Sequence, residues 1–399
     1  MSAKYIITHT DNRLVAAEYS DGRCVGLNIV SPACIIGNIY AGRVENVVKN
    51  INCAFVEIQK GVKCYYPLDE NTGHIFLNPK NNTSVNQGDA VLVQVIKEAV
   101  KTKPPTVTGK ISLTGKYVVL STDIRGINIS SKTKKDEVCL AVREMLLENV
   151  QRDGFGFIVR TNCKDLPRDK FDEVLSEAQR LSEEFLSIRK SAQFCRAPQL
   201  IYQEPPEYIS RILSFQNDYI DEIITDDKEI YDNINKYIPA EDLKKVRLYK
   251  DDMFALYKLY DIEKQLRDAL SKKIWLKCGG YIVIEQTEAL TSIDVNSGKC
   301  VSKKSGAEAK ENTVYRVNCE AAQEIARQLR IRNLSGIIII DFINMDSEEH
   351  NASLLSQLRE LFREDRITTS LIDITKLGLA EVTRKRTGET LAESMKLQN

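Results

Sequence analysis

Two aspartates in the last third of the chain have a setting suited to metal-assisted chemistry. Asp294 follows Ser292-Ile293 and precedes Val295-Asn296-Ser297-Gly298, and Asp341 follows the four isoleucines 337–340. Both close strand-like apolar runs, where an ionised carboxylate is costly to bury without a partner. Two such carboxylates brought together repel unless a cation lies between them. Hard oxygen donors without histidine or thiol favour Mg²⁺, with Mn²⁺ as a second choice. Mg²⁺ keeps several of its waters, so two aspartates and a substrate phosphate suffice for phosphodiester chemistry. The other reading is a pair of strand-end aspartates that cap loops.

Two further sets are weaker. Phe55 and Tyr65 fall on neighbouring predicted strands, with Lys103 on the loop that follows. Aromatic rings on a barrel surface stack bases while lysine meets phosphate; rings pointing inward would simply be core. Arg160-Thr161 ends another strand-like run. A guanidinium fork beside a hydroxyl matches a phosphate, although a lone Arg-Thr pair is also ordinary surface.

The elements that must hold these residues follow from periodicity. Strand-like pieces Ile39-Tyr40, Arg43–Val48, Ala54–Ile58, Lys63–Leu68 and Ala90–Ile96 are broken by turn signals, among them Gly42 and Asn50-Ile51-Asn52. Five short strands so spaced suit a small barrel of the OB type. Residues 135–149 and 169–191 carry apolar side chains at helical spacing, with the strand-like run 154–161 between them. Pro205-Pro206 marks a boundary, and the acidic stretch to about Ser271 reads as a solvated face. Beyond it, Tyr281–Glu285 and Leu290–Val295 predict a hairpin. Residues 318–332 predict an amphipathic helix and 337–340 a buried strand. Asp346 predicts the N-cap of a helix carrying Leu354, Leu355, Leu358, Leu361 and Phe362, and strands follow near 371–374 and 379–383. Together these make an α/β layer domain.

Composition limits the function classes. The 399 residues include 56 basic and 56 acidic side chains, which excludes a wholly polybasic binder but not a local basic groove. No apolar run reaches the ~18–20 residues of a membrane helix, and the first residues lack a signal-peptide core. A cytoplasmic protein with no membrane span is expected. Ten cysteines without a C-x-x-C pair and three histidines argue against zinc. The cysteines are expected to be reduced and mostly buried.

The order of these signals resembles the catalytic part of the bacterial ribonuclease E and G family, single-strand-specific endoribonucleases. The resemblance rests on Gly37-Asn38-Ile39-Tyr40-x-Gly42-Arg43, Ala54-Phe55-Val56, Ile111-Ser112-Leu113-x-Gly115-x-Tyr117 and Ile158-Val159-Arg160-Thr161. It continues through Thr291-Ser292-Ile293-Asp294-Val295-Asn296-Ser297-Gly298, Asn318-x-Glu320-Ala321-Ala322, Ile325–Arg330, Ile340-Asp341-Phe342-Ile343-x-Met345 and Thr383–Arg386. It implies a multidomain α+β chain: an RNase H-like subdomain with an inserted OB-fold β-barrel, a 5′-sensor region and a DNase I-like α/β catalytic subdomain. The expected boundaries are 1–35 and 206–270 for the two parts of the RNase H-like subdomain and 36–118 for the barrel. Residues 119–205 would be the sensor, 271–385 the catalytic subdomain and 386–399 a tail.

By motif match, Asp294 and Asp341 would hold Mg²⁺ and Asn296 would orient the site. Phe55, Tyr65 and Lys103 would grip RNA, and Gly115, Val119, Arg160 and Thr161 would receive a 5′-monophosphate. Three departures stand against the family pattern. Asn344 replaces a second aspartate, and Pro104-Pro105-Thr106 follows Lys103 in place of Gly-Pro-Arg. No C-P-x-C segment occurs up to Asn399, so a homodimer stays open but zinc-linked dimerisation is not expected from these residues. The implied activity is Mg²⁺-dependent cleavage of single-stranded RNA to 5′-phosphate and 3′-hydroxyl ends, in rRNA processing or mRNA decay, favouring 5′-monophosphorylated substrates. The alternative is a non-catalytic RNA-binding protein that keeps the fold.

Overall fold

The computed structural model describes all residues except 1, 12, 32–33, 72, 79–82, 100–102, 152, 216–218, 240–241, 252, 301–306, 376 and 398–399. The chain divides into two compact units, one of residues 1–30 with 220–399 and one of residues 31–219.

In the first unit, strand Ala3–Thr10 pairs antiparallel with Arg13–Ser20 and parallel with Glu222–Thr225, so two distant segments share one five-stranded sheet. Its core joins Ile6, Val15, Ala17 and Ile224 to Ile262 and Leu266 of helix Ile262–Leu270.

The same unit holds a six-stranded sheet in the order Lys273–Trp275, Tyr281–Gln286, Leu290–Asn296, Gly336–Asp341, Ala380–Arg384, Thr369–Ile374. Strict alternation explains its two faces. In Leu290–Asn296, Thr291, Ile293 and Val295 are buried while Ser292 and Asp294 are exposed. Period-two patterning sends successive side chains to opposite faces. The buried face packs Ile282, Ile284, Ile293, Ile338 and Ile340 against Ala321, Ala322, Ile325 and Leu329 of helix Ala307–Ile331 and Leu354, Leu358 and Phe362 of helix Glu348–Arg363. Each fully buried isoleucine contributes ~2 kcal/mol before entropic costs. Leu290–Asn296 runs parallel to Gly336–Asp341, and parallel neighbours need a long crossover; helix Ala307–Ile331 lies within it. The helix is longer than the sequence-predicted 318–332. The cap of the next helix is Ser347, not Asp346: the Ser347 hydroxyl accepts from the His350 amide at 3.2 Å.

The second unit contains a closed five-stranded barrel of Ile39–Val48, Cys53–Gln59, Val62–Pro67, Thr106–Thr108 and Ala90–Lys97, closed by pairing of the first strand with the last, as in an OB fold. Two expectations change here. Ile39–Val48 is one strand, not two: Gly42 is present because a Cβ there would lie 2.4 Å from Val56 Cγ1. The remaining barrel strand is Thr106–Thr108, too short to read from pattern. A four-stranded sheet follows, in the order Gly126–Ile129, Gly156–Val159, Val118–Ser121, Ser112–Thr114. Helices Glu137–Asn149 and Phe171–Phe194 pack on it through Val142, Leu146, Ala178 and Phe185. The ten cysteines are free thiols, but only Cys24, Cys53, Cys64, Cys139 and Cys163 are buried; the other five are partly exposed. Among the described residues no helix is long and apolar enough to cross a membrane.

Candidate active site and RNA-facing surfaces

Asp294 and Asp341 are register partners on adjacent parallel strands. Both lie on the open face of the six-stranded sheet and both are exposed. Neighbouring strands run ~4.8 Å apart, so the two carboxylates start from backbones about that far apart and repel one another. Asn296, two residues on and on the same face, donates its Nδ2 to Asp294 Oδ2 at 2.7 Å. That bond turns the amide oxygen of Asn296 away from Asp294 and holds one carboxylate oxygen in place. Asn344 is exposed on the segment after Asp341. Among the described residues no group of three or more His, Cys, Asp or Glu side chains gathers as a metal cage.

Two further side chains of the Asn318-x-Glu320 motif, to which spacing alone assigns no role, position the site. The buried Asn318 clamps the segment after Asp341: its Nδ2 donates to the Ile343 carbonyl at 2.8 Å and its Oδ1 accepts from the Ile343 amide at 3.1 Å. Glu320 accepts from the Cys278 amide at 3.0 Å and from the Lys277 amide, fixing the turn before strand Tyr281–Gln286. Asn318 interrupts the apolar helix face of Val314, Tyr315, Ala321 and Ala322, which is a signal in the sequence; Glu320, between Arg316 and Glu324, carries none.

On the barrel, Phe55 and Tyr65 are directly opposite one another in neighbouring strands. Their inward neighbours Ala54, Val56, Cys64 and Tyr66 are buried, whereas the two rings are half-exposed on the outer face. The rings meet edge to face with centroids 6.4 Å apart. Tyr65 donates its amide to the Pro105 carbonyl at 2.8 Å, and Lys103, two residues earlier, is exposed.

The third set lies in the four-stranded sheet and its loops. Arg160 donates an Nη to the Gly115 carbonyl and its amide to the Tyr117 carbonyl at 2.9 Å. Gly115 and Arg160 therefore touch. Val119 lies within the adjacent strand and Thr161 opens the turn after Arg160; both are half-buried. Burial pushes the Arg160 guanidinium pKa down, with the nearby Glu177 charge opposing.

Glu177, on helix Phe171–Phe194, is the centre of this region. Its carboxylate accepts from the amides of Lys116 at 2.6 Å, Tyr117 at 2.7 Å and Val118 at 3.0 Å. Successive backbone N–H groups converging this way form an anion-binding nest, here filled by the protein's own carboxylate. A Cβ on Gly115 would lie 2.4 Å from Glu177 Cδ, so only glycine admits it. The three nest amides are thereby committed to Glu177.

Comparison with known proteins gives the family. The family model for the Ribonuclease E/G family matches residues 112–387. Ribonuclease E of Nostoc sp. is 33% identical over 389 residues, covering 95% of this chain and 55% of that protein. Ribonuclease G of Salmonella typhimurium is 32% identical over 410 residues, covering 98% of this chain and 81% of that protein. Ribonuclease G of Haemophilus influenzae is 32% identical over 401 residues, covering 96% and 79%. The chain thus spans little more than half the length of the matched ribonuclease E and about four fifths of the matched ribonuclease G proteins. A match of this extent, over a sheet that pairs Asp294 with Asp341, means that the chain belongs to the ribonuclease E/G family of endoribonucleases.

Proposed function

We propose that this chain cleaves single-stranded RNA at the Asp294–Asp341 site, leaving 5′-phosphate and 3′-hydroxyl ends, with a preference for 5′-monophosphorylated substrates. The observation that carries the reading is the direct pairing of two exposed carboxylates on one open sheet face, with Asn296 bound to the first. The donor set fits Mg²⁺, or Mn²⁺ in its place. Both ligands are hard oxygens on a face open to water, and Mg²⁺ is commonly held by one or two carboxylates plus substrate phosphate. When bound there, the ion supplies Lewis-acid polarisation of the phosphodiester and neutralises the charge of the two aspartates.

The chain's own residues supply position. Asp294 and Asp341 hold their oxygens at fixed register, Asn296 restrains Asp294, and Asn318 fixes the segment leaving Asp341. Hydrolysis adds a water oxygen in line to phosphorus and breaks the bond to the 3′ oxygen, which takes up a proton; the phosphate stays on the downstream fragment. Phe55 and Tyr65 would stack bases, Lys103 would meet a phosphate, and Arg160 with Thr161 would receive the 5′-phosphoryl group beside Gly115 and Val119. We read the two-part sheet of residues 3–30 and 222–248 as the RNase H-like subdomain and the six-stranded sheet as the catalytic one. We read this activity as a cytoplasmic one, serving ribosomal RNA processing or messenger decay.

The test is cleavage of a labelled 5′-monophosphorylated oligonucleotide in Mg²⁺ and in EDTA, by wild type, Asp294→Asn and Asp341→Asn. Wild type should cut only with the metal, and both variants should bind RNA without cutting. Retained cleavage in both variants refutes the assignment.

A further inference from the structure

The open face that carries Asp294 and Asp341 continues, strand by strand, into an aromatic patch at the edge of the same sheet. Asn296 lies opposite Tyr281, and Tyr281 lies opposite Trp275; in the next row, Asp294 lies opposite Val283, and Val283 opposite Lys273. Directly opposed residues share a face. Tyr281 is therefore one strand, and Trp275 two strands or roughly 10 Å, from the strand of Asp294 and Asn296. Trp275 is 57% exposed although it is the largest side chain of its three-residue strand. Its ring meets that of Tyr281 edge to face with centroids 5.3 Å apart. The ammonium of Lys273 lies 4.3 Å from the Trp275 centroid and 3.6 Å from that of Tyr281. Among the described residues Lys273 has no carboxylate partner; the neighbouring Glu285 is taken by Lys272 at 3.0 Å.

We propose that Trp275, Tyr281 and Lys273 form a nucleotide subsite that binds the single-stranded RNA immediately beside the bond to be cleaved. The proposal rests on the reading of Asp294 and Asp341 as the cleavage site. A base stacks on the exposed face of the indole, Tyr281 braces the ring from its edge, and Lys273 meets the phosphate between this nucleotide and the scissile one. Single-stranded RNA is the occupant because the patch is continuous with the carboxylate pair, and because exposed aromatics with a cation are the usual means of holding an unpaired strand. An edge strand needs a charge such as Lys273 to discourage pairing with another chain, but it does not need an exposed tryptophan.

Trp275 is the single tryptophan of the chain, so its emission reports this subsite alone. Titration of the full chain with a 5′-hydroxyl single-stranded oligonucleotide in EDTA should quench that emission saturably. A ribose-phosphate strand of the same length without bases should not. In Mg²⁺, Trp275→Ala should raise KM about tenfold (~1.4 kcal/mol), and Trp275→Phe should recover most of the loss. An abasic residue placed next to the cleaved bond should penalise wild type but not Trp275→Ala. Saturable RNA binding with unchanged emission overturns the subsite, as does an unaltered KM in a Trp275→Ala protein that melts like wild type. Quenching without any cleavage keeps the subsite and refutes the cleavage reading, so the two failures are separate.

Discussion

Replacing Glu177 with alanine should loosen the loop that presents Arg160, and the size of the effect follows from the contacts. The carboxylate accepts three hydrogen bonds, at 2.6, 2.7 and 3.0 Å, from the consecutive amides of residues 116–118. Lys116, Tyr117 and Val118 are 5%, 1% and 0% exposed, so water reaches these amides poorly. A buried donor that loses its acceptor costs ~1–3 kcal/mol. The shortened side chain leaves room for some water to enter, which keeps each loss near the lower bound, and the three together come to ~3 kcal/mol. For a folding unit of 150–250 residues, 1 kcal/mol moves the melting temperature by ~2–4 °C. The unit of residues 31–219 should therefore melt roughly 6–12 °C lower in Glu177→Ala. Glu177→Gln, which keeps one acceptor oxygen, should fall between that variant and wild type. Calorimetry gives the melting shift, and hydrogen exchange over residues 112–121 locates it, since these amides should lose protection first. A Glu177→Ala protein melting within ~1 °C of wild type, with unchanged exchange at these amides, would show that the nest does not depend on the carboxylate.

Phe55→Ala should weaken single-stranded RNA binding by ~1–3 kcal/mol, the worth of one stacked base. Its melting temperature should stay near wild type because the ring is half-exposed; a large melting shift with unaltered affinity would refute the stacking role. Arg160→Gln should abolish faster cutting of 5′-monophosphorylated over 5′-hydroxyl RNA while the 5′-hydroxyl rate persists, and equal wild-type rates on the two RNAs would refute end sensing. Burial, reinforced by the charge of Glu184, pushes the Glu204 carboxyl up to about 7 from its ordinary 4.5. The folded chain therefore binds more protons between those values, and stability present at low pH is lost as pH rises toward 7. Glu204→Gln should flatten that segment and add ~1–3 kcal/mol at pH 8, read by urea unfolding from pH 5 to 8; a curve parallel to that of wild type would contradict this.

Local pattern made several features of this chain legible before any coordinates. The alternation through Leu290–Asn296, the isoleucines before Asp341 and the helical spacing at Val174, Ala178, Leu181 and Phe185 each express one element's burial on one face. Such a pattern depends on nearest neighbours along the chain, so sequence alone carries it. The motif order also carried the family, because its segments are specific in both composition and spacing.

Tertiary structure decided what depends on register and on contacts between distant residues. Phe55 and Tyr65 could have faced either way, since a slip of one residue turns every side chain of a strand to the other face; the observed register sends both outward. Gly42 looked like a break and is instead a close crossing over Val56. Strand Thr106–Thr108 is held by its partners, with too few residues to show a period. Glu177 sits 60 positions from the Tyr117 amide it accepts from, and on its helix it reads as one more exposed acid. Its role exists because packing of helix Phe171–Phe194 brings it against a glycine with no side chain to exclude it. The same holds for Trp275: its nearness to Asp294 is a matter of strand order, which hydrogen bonding between strands decides and residue spacing does not.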